Sequence, residues 1–463
     1  MNDIQMNQDL MPQGNESVQR KNGSPEAPFL IELFHRLGRE KIDYCVLRNH
    51  STLPTSHGGS DIDILFSPAC FQKANKIIFH TTRDYGARCI SEIRAHKVIS
   101  RSFCGRYNNK WWGVRFDTFA YAGTNGCDIL PVSHVLGRTI LYRGIRVANP
   151  ADAAVIALIK EIIGAARTRK DYRQLAVTAF AAEKRLFTVA LQSYLGPKVF
   201  KRILLPLLQN QKFNLRAASS ALKSGYLRTK PVSTLTVRFI DHWHRFRRVF
   251  NRPGSFAAVL GADGSGKSTI IEAFQPPLEN ALHRPVDYRH MRPNLMPSIA
   301  SLFGRPVSDG PVTEPHASTP SGFLGSILRL FYYNLDYTFG YWIAVWPLMV
   351  KKPCLFIFDR YFHDYYIDPR RGRISLPKWL IKLYGIFIPA PDVILCLGAD
   401  AEVMYARKPE LPVEEVKRQV KDLRAFCKSN KRAVWIDTGC SIEESVDKAL
   451  EAITSSMAER YAK

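Results

Sequence analysis

The sequence predicts an α/β protein with a parallel sheet and flanking helices, and three observations in its C-terminal half carry that expectation. Residues 256–260, Phe-Ala-Ala-Val-Leu, form an apolar run of strand length that leads straight into a glycine-rich turn, after which Ile270 and Ile271 open a helical pattern. Further apolar runs at 354–358, 393–397 and 433–437 alternate with segments of helical period, the rhythm of strands joined by crossover helices. Charged residues stand at the ends of these runs, at Asp359-Arg360 and Asp437, where open parallel sheets bind their ligands.

The turn reads Gly261-Ala-Asp263-Gly264-Ser265-Gly266-Lys267-Ser268-Thr269 and satisfies the pattern G-x-x-x-x-G-K-[ST]. Glycine at 261, 264 and 266 lets successive N–H groups turn toward a polyphosphate without a Cβ in the way. Lys267 is placed to reach the β and γ phosphates, Ser268 to offer a hydroxyl to Mg²⁺, and the helix opening near Thr269 to aim its positive dipole end at the same anion. A preceding strand and a following helix are the context this motif requires, so ATP and Mg²⁺ are the expected ligands.

Ahead of this region the chain divides by pattern. Residues 1–27 are polar, lack the apolar stretch of a signal peptide, and read as a disordered tail. From 28 to 149 short elements alternate: a helix at 29–37, strands at 44–47 and 62–66, a helix from Phe71, and β runs at 94–103 and 111–120. Residues 150–254 form a helical connector, with helices expected at 152–166, 171–186 and 188–208, the last broken at Gly196-Pro197. The connector ends in a basic stretch, 238–252, interleaved with Trp243, Phe246 and Phe250. Its aromatics are expected to pack on a neighbouring domain; an anionic membrane surface or nucleic acid is the other reading, with nucleic acid less favoured.

Composition bounds the rest. At 463 residues the chain exceeds a single core. A formal charge of +24 favours anionic partners. Nine cysteines, an odd number without C-x-x-C spacing, argue against a disulfide framework or zinc site and fit a cytoplasmic protein. Residues 332–350 approach membrane-span length, but Asn334, Asp336 and Pro347 favour a buried helix beside the nucleotide site.

Residues 255–463 resemble thymidylate kinase and its nucleoside-monophosphate kinase relatives. The likeness rests on Asp263-Gly264 within the loop, on Phe-Ile-Phe-Asp-Arg-Tyr at 356–361, on Pro391-Asp392 with Asp400-Ala401-Glu402 leading to Arg407, and on Ile436-Asp437-Thr438 with 441–446. It implies an NMP-kinase-like fold in which Asp359 organises the metal and Arg360 bridges donor and acceptor phosphoryl groups. Arg407 would compensate charge from a lid that includes Lys417, Arg418, Lys421 and Arg424. There is a departure: the family's Arg-Glu-Pro-Gly-Gly-Thr segment is replaced by His290-Met-Arg-Pro-Asn. Transfer to dTMP is therefore one reading, and transfer to another anionic or glycan acceptor is the leading one. Arg292 is a candidate anion holder, and Thr313, Glu314 and His316 line an insertion. The run Arg407-Lys408-Pro409-Glu410 resembles thymidylate-kinase-like proteins of bacterial surface-polysaccharide settings, which implies a sugar or lipid-linked glycan acceptor.

A second constellation lies upstream. Gly58-Gly59-Ser60-Asp61-Ile62-Asp63 puts two carboxylates two residues apart, hence on one face of a strand, and Asp117 is a third candidate on a distant strand. Such a set can hold divalent metal with a triphosphate. This arrangement resembles the DNA polymerase beta-like nucleotidyltransferase superfamily, with the helices after Pro150, including Lys170-Asp171-Tyr172, as its helical partner. The superfamily's Gly-Ser is replaced by Leu47-Arg48-Asn49, so Arg48 either supplies those contacts by charge or marks a domain that binds without turnover. Of a different class is a nucleotide-dependent module that grips membrane or nucleic acid through its basic connector.

Overall fold

A computed structural model of the chain describes residues 24–209, 211, 214–297 and 319–461. The expected tail lies almost wholly outside the described residues, as do Thr313, Glu314 and His316.

The N-terminal half is built on strands β1 (Tyr44–Val46), β2 (Ile62–Phe66), β3 (Ala87–Ala95), β4 (Val98–Tyr107), β5 (Lys110–Phe119), β6 (Ala122–Thr124), β7 (Cys127–Leu130), β8 (Ile140–Tyr142) and β9 (Ile145–Val147). Seven of them form a mixed sheet in the order β3-β4-β5-β2-β1-β9-β8, while β6 and β7 make a separate hairpin. Strand alternation divides the β2 side chains: Ile62, Ile64 and Phe66 pack with helices Ala27–Arg39 and Phe71–Asp84, and Leu65 packs toward the helical region. Asp63 shares the Leu65 face, so the carboxylates point toward the helices of the connector. The β run expected at 94–103 is mostly β4, but it is not one continuous strand, because His96 and Lys97, the latter at φ +55°, turn β3 back into β4.

The connector folds as helices Pro150–Ala165, Lys170–Ala182 and Lys184–Leu195, followed by Leu215–Thr229 and Pro231–Phe250. Asn149 caps the first by accepting from the Ala151 N–H at 2.9 Å. The expected helix at 171–186 is interrupted at Glu183, and the expected break at Gly196 occurs, with that glycine at φ +76°. Helix Pro231–Phe250 departs from expectation: Phe239, Trp243, Phe246 and Phe250 are exposed rather than packed on a neighbouring domain. Its buried positions, Thr234 and Val237, lie on the opposite side, which is the one that meets protein.

The C-terminal sheet comprises β10 (Ser255–Leu260), β11 (Asp287–His290), β12 (Leu355–Asp359), β13 (Val393–Gly398) and β14 (Ala433–Asp437), all parallel, in the order β11-β12-β10-β13-β14. Central strands β10, β12 and β13 are buried at every position, as expected for a sheet covered on both faces. The segment 332–350 lies in the helical stretch Phe323–Gly340, a wider turn at Tyr341–Val345, and Trp346–Lys351. One face buries Leu330, Tyr337, Tyr341, Val345 and Met349, whereas Phe339, Trp342 and Ile343 are exposed. No described helix is long and apolar enough to cross a membrane.

The two sheets are joined directly as well as through the connector. Ile90 of β3 and Cys104 of β4 enter the same core as Ile270, Phe274 and Leu278 of helix Lys267–Leu282 and Leu450 of helix Ile442–Ala458. Gly113 of β5 lies so close to the first of these helices that a Cβ would overlap the carbonyl oxygen of Pro277. Around this apolar contact Trp111 donates to Asp447 at 2.7 Å, Arg106 pairs with Asp447 at 2.6 Å and Arg88 with Glu451 at 2.6 Å.

Candidate functional site

The glycine-rich loop occupies the C-terminal edge of the parallel sheet, between β10 and helix Lys267–Leu282. Gly264 and Gly266 both take φ +77°, which side-chain-bearing residues rarely adopt. Close approach makes the other demand, since a Cβ at Gly261 would overlap the Ser265 hydroxyl and one at Gly264 the carbonyl oxygen of Met404. With Gly266 as N-cap and no capping side chain, the first-turn N–H groups, including those of Ser268 and Thr269, are left for a ligand. The Lys267 ammonium donates to the carbonyl oxygens of Gly261 at 3.0 Å and Ala262 at 3.2 Å. Burial, and then the Arg360 charge, lower its pKa to about 7.

Parallel register brings Asp359 beside this loop, because Val259 pairs with Asp359 one step before β10 ends. Its Oδ2 accepts from the Tyr288 hydroxyl at 2.8 Å, and His290 Nδ1 lies 3.8 Å away. Its Oδ1 is buried and has no hydrogen-bond partner among the described residues. Burial would raise this carboxyl, but neighbouring His290, the Lys267 charge and the Tyr288 hydrogen bond together outweigh it and hold the group at about 2. An ionised, half-free carboxylate beside the glycine-rich loop fits hydrated Mg²⁺.

Arg360 follows at φ +65° and is buried. Its guanidinium donates to both oxygens of Asp364, at 3.1 and 2.9 Å, and to Asp263 at 2.7 Å. Burial alone would lower its pKa, but Asp364, Asp263 and Asp359 drive it upward. Arg371 also pairs with Asp263. Arg360 thus ties the loop, through Asp263, to Asp364 just beyond β12.

Arg407 closes helix Ala401–Arg407 and donates to the Thr438 carbonyl at 3.0 Å. This segment packs on the loop, through the contact of Met404 with Gly264. The expected lid residues fall on helix Val413–Ser429, which buries Val416, Gln419 and Leu423 beside β13 and β14. There Lys417 pairs with Glu402 at 3.1 Å, Arg418 with Glu415 at 2.6 Å and Asp422 at 2.8 Å, and Arg424 lies over Trp435 at 4.7 Å. Packing of this kind makes the segment a flanking helix of the sheet. Arg292 is anchored by Asp336 at 3.0 Å and stacks over Tyr333 at 5.0 Å.

In the N-terminal sheet β2 and β5 run parallel with Asp63 opposite Asp117. Carboxylate oxygens of Asp61, Asp63 and Asp117 all lie within 4.8 Å of one another. Three acids so close need cations, and the structure supplies them from outside the motif. Arg48 pairs with Asp63 and reaches Asp61 at 3.7 Å, while Arg115 holds Asp117 at 3.0 Å. Burial first, with help from the neighbouring acids, raises the Asp63 pKa against the opposing charges of Arg48 and Lys160. Lys160 comes from helix Pro150–Ala165, and its Nζ lies 4.4 Å from the centre of the Phe119 ring. The donor set, hard oxygens in a tight group with one member almost wholly buried, suits a divalent cation.

Sequence reading missed Lys160, Arg115, Tyr288, Asp364 and Arg371. Lys160 carried a signal, being a lone cation in the middle of an apolar helix face. Tyr288 and His290 sit two apart and therefore share a face of β11, but a four-residue polar strand has no apolar pattern to reveal it.

An all-parallel sheet with a glycine-rich phosphate loop after its central strand and helices on both sides defines an α/β phosphate-loop fold. Among solved structures, thymidylate kinase from Ehrlichia chaffeensis is similar at 16% identity and a TM-score of 0.31, over 43% of this chain and 97% of that one. No protein-family model matches the chain, and no curated protein matches it.

Proposed function

We propose that the chain is an ATP-dependent phosphotransferase whose C-terminal site moves the γ-phosphoryl group of ATP to a small-molecule or glycan acceptor. The observation that carries this reading is the meeting, at one sheet edge, of the glycine-enabled loop, Lys267 and the half-free Asp359. Backbone N–H groups of the loop bind the triphosphate, and the Lys267 ammonium neutralises its β and γ oxygens. Mg²⁺, held through Ser268 and Asp359, would supply charge neutralisation and in-line orientation of the transferred group. Arg360 positions the loop through Asp263, and Arg407, on the segment packed against the loop, is the cation available to charge developing in flight. The replaced family segment at His290-Met-Arg-Pro-Asn favours an acceptor other than dTMP, and a sugar or lipid-linked glycan is the reading we prefer.

The test is an acceptor screen with γ-labelled ATP, setting nucleoside monophosphates against sugars, sugar phosphates and glycans. Label should move to one acceptor class, and Lys267→Ala should remove transfer while the unfolding transition stays in place. Transfer that survives in the variant contradicts the assignment.

A second activity, nucleotidyl transfer or nucleotide binding at the N-terminal sheet, is favoured by one observation, the convergence of Asp61, Asp63 and Asp117. Carboxylates so placed suit metal-assisted chemistry on a triphosphate, and Arg48 stands beside them in place of the superfamily's Gly-Ser contacts.

A further inference from the structure

Helix Pro231–Phe250 is amphipathic with its sides reversed. Val232, Leu235, Phe239, Trp243, Phe246 and Phe250 recur at intervals of three and four, so they form one stripe along the 20-residue helix. All six are exposed, Phe239 at 73% and Phe250 at 79%. The opposite side meets protein through polar contacts: Asp241 accepts the His96 N–H at 2.7 Å, and Arg248 donates to the Arg94 carbonyl at 3.0 Å. Trp243 stacks on Phe246 at 6.0 Å and Phe246 meets Phe250 edge-on at 5.5 Å, which joins the rings into a ridge. Among the described residues nothing covers this ridge. Exposed Phe339, Trp342 and Ile343 stand on the helical stretch that the same helix meets near Trp346–Lys351.

Charge selects the occupant. The helix carries Arg238, Arg245, Arg247 and Arg248 against a single acid, Asp241. On one flank of the ridge Arg247 joins Arg94, Arg101, Arg460 and, from the protein-facing side of the helix, Arg248 around a cavity of about 620 Å³ whose acid is Glu92, itself paired with Arg94 and Arg101. On the other flank Arg238 and Arg245 meet Lys223 at a cavity of about 320 Å³. A second copy of the chain would bring these arginines face to face, and like charges oppose such pairing. An anionic bilayer accepts both parts, because aromatic rings enter the acyl boundary while arginines meet headgroup phosphates.

We propose that Pro231–Phe250 is an interfacial helix that seats the protein on an anionic lipid bilayer. The measurement is flotation of the full chain with vesicles of phosphatidylcholine alone and of phosphatidylcholine mixed with phosphatidylglycerol. Wild type should float with the mixed vesicles and weakly with the neutral ones. The triple variant Trp243→Ser, Phe246→Ser, Phe250→Ser should bind the mixed vesicles at least about tenfold more weakly, since it loses the buried ridge. The variant Arg238→Gln, Arg245→Gln, Arg247→Gln should lose the preference for phosphatidylglycerol and its sensitivity to salt. These side chains are on the surface, so unchanged thermal unfolding serves as the folding control. Failure of wild type to float, or equal flotation of wild type and the ridge variant, overturns the proposal. So does a wild-type dimer in sedimentation equilibrium that the ridge variant dissolves without any vesicle binding, which would make the ridge a contact between copies.

Discussion

Lys267 sits where burial and the Arg360 charge hold its pKa at about 7, while a bound triphosphate would favour the charged form. Above that value the free lysine is partly neutral, so Mg-ATP binding at about pH 8 should draw a proton from solution, and at about pH 6 it should not. Calorimetry in buffers of different ionisation enthalpy reads this directly; an observed heat independent of buffer at the higher pH would contradict it. Glu26 gives a second residue-level prediction. It is buried, and its carboxylate takes His57 Nδ1 at 2.8 Å and the Ser56 hydroxyl at 3.0 Å. Burial alone would raise this carboxyl, but the hydrogen bonds from His57 and Ser24, with the His57 charge, together more than offset it and leave the pKa at about 2, against 4.5 for a free glutamate. Because the folded value lies below the unfolded one, the stabilisation is complete above about pH 4.5 and fades as pH falls toward 2. Glu26→Gln should therefore cost about 1–3 kcal/mol at neutral pH in denaturant unfolding, with the gap to wild type narrowing in acid.

At the scale of elements, the parallel pairing of β2 with β5 is what turns two distant acidic positions into one site, since Asp63 and Asp117 are register partners. Asp117→Asn should weaken Mn²⁺ binding at this sheet by about tenfold or more, read by electron paramagnetic resonance, and leave Lys267-dependent ATP binding unchanged. Undiminished Mn²⁺ affinity would show that the carboxylates do not act together. Strand β2 was legible to the residue because Ile62, Ile64 and Phe66 alternate with Asp63 and Leu65. The central strands of the second sheet were legible within a residue at each end because burial on both faces makes them continuously apolar. Strand β11 was not, for an edge strand reading Asp-Tyr-Arg-His is specified by its neighbour and not by its own pattern. The basic helix misled for the opposite reason: its apolar stripe is plain in the sequence, but periodicity does not say whether protein or something else covers it.

For the whole molecule, the unexpected feature is that the phosphate-loop helix is also a wall of the N-terminal sheet. Nothing local in the sequence announces this contact, because Gly113 matters through the absence of a side chain and Trp111 through a partner, Asp447, more than three hundred residues away. Gly113→Val should push β5 off helix Lys267–Leu282 and lower stability by about 1–3 kcal/mol, the usual cost of overpacking, seen as a reduced melting temperature. An unchanged melting temperature would mean the two halves are joined by the connector alone. Polyphosphate binding by the loop is the claim on which the functional reading stands, and it is tested most directly by titrating Mg-ATP into the Asp63→Asn protein, in which the N-terminal carboxylate cluster is broken, with and without Lys267→Ala. Saturable heat of binding that disappears with the lysine is the expected result; equal heat in both proteins, or none in either, would contradict it.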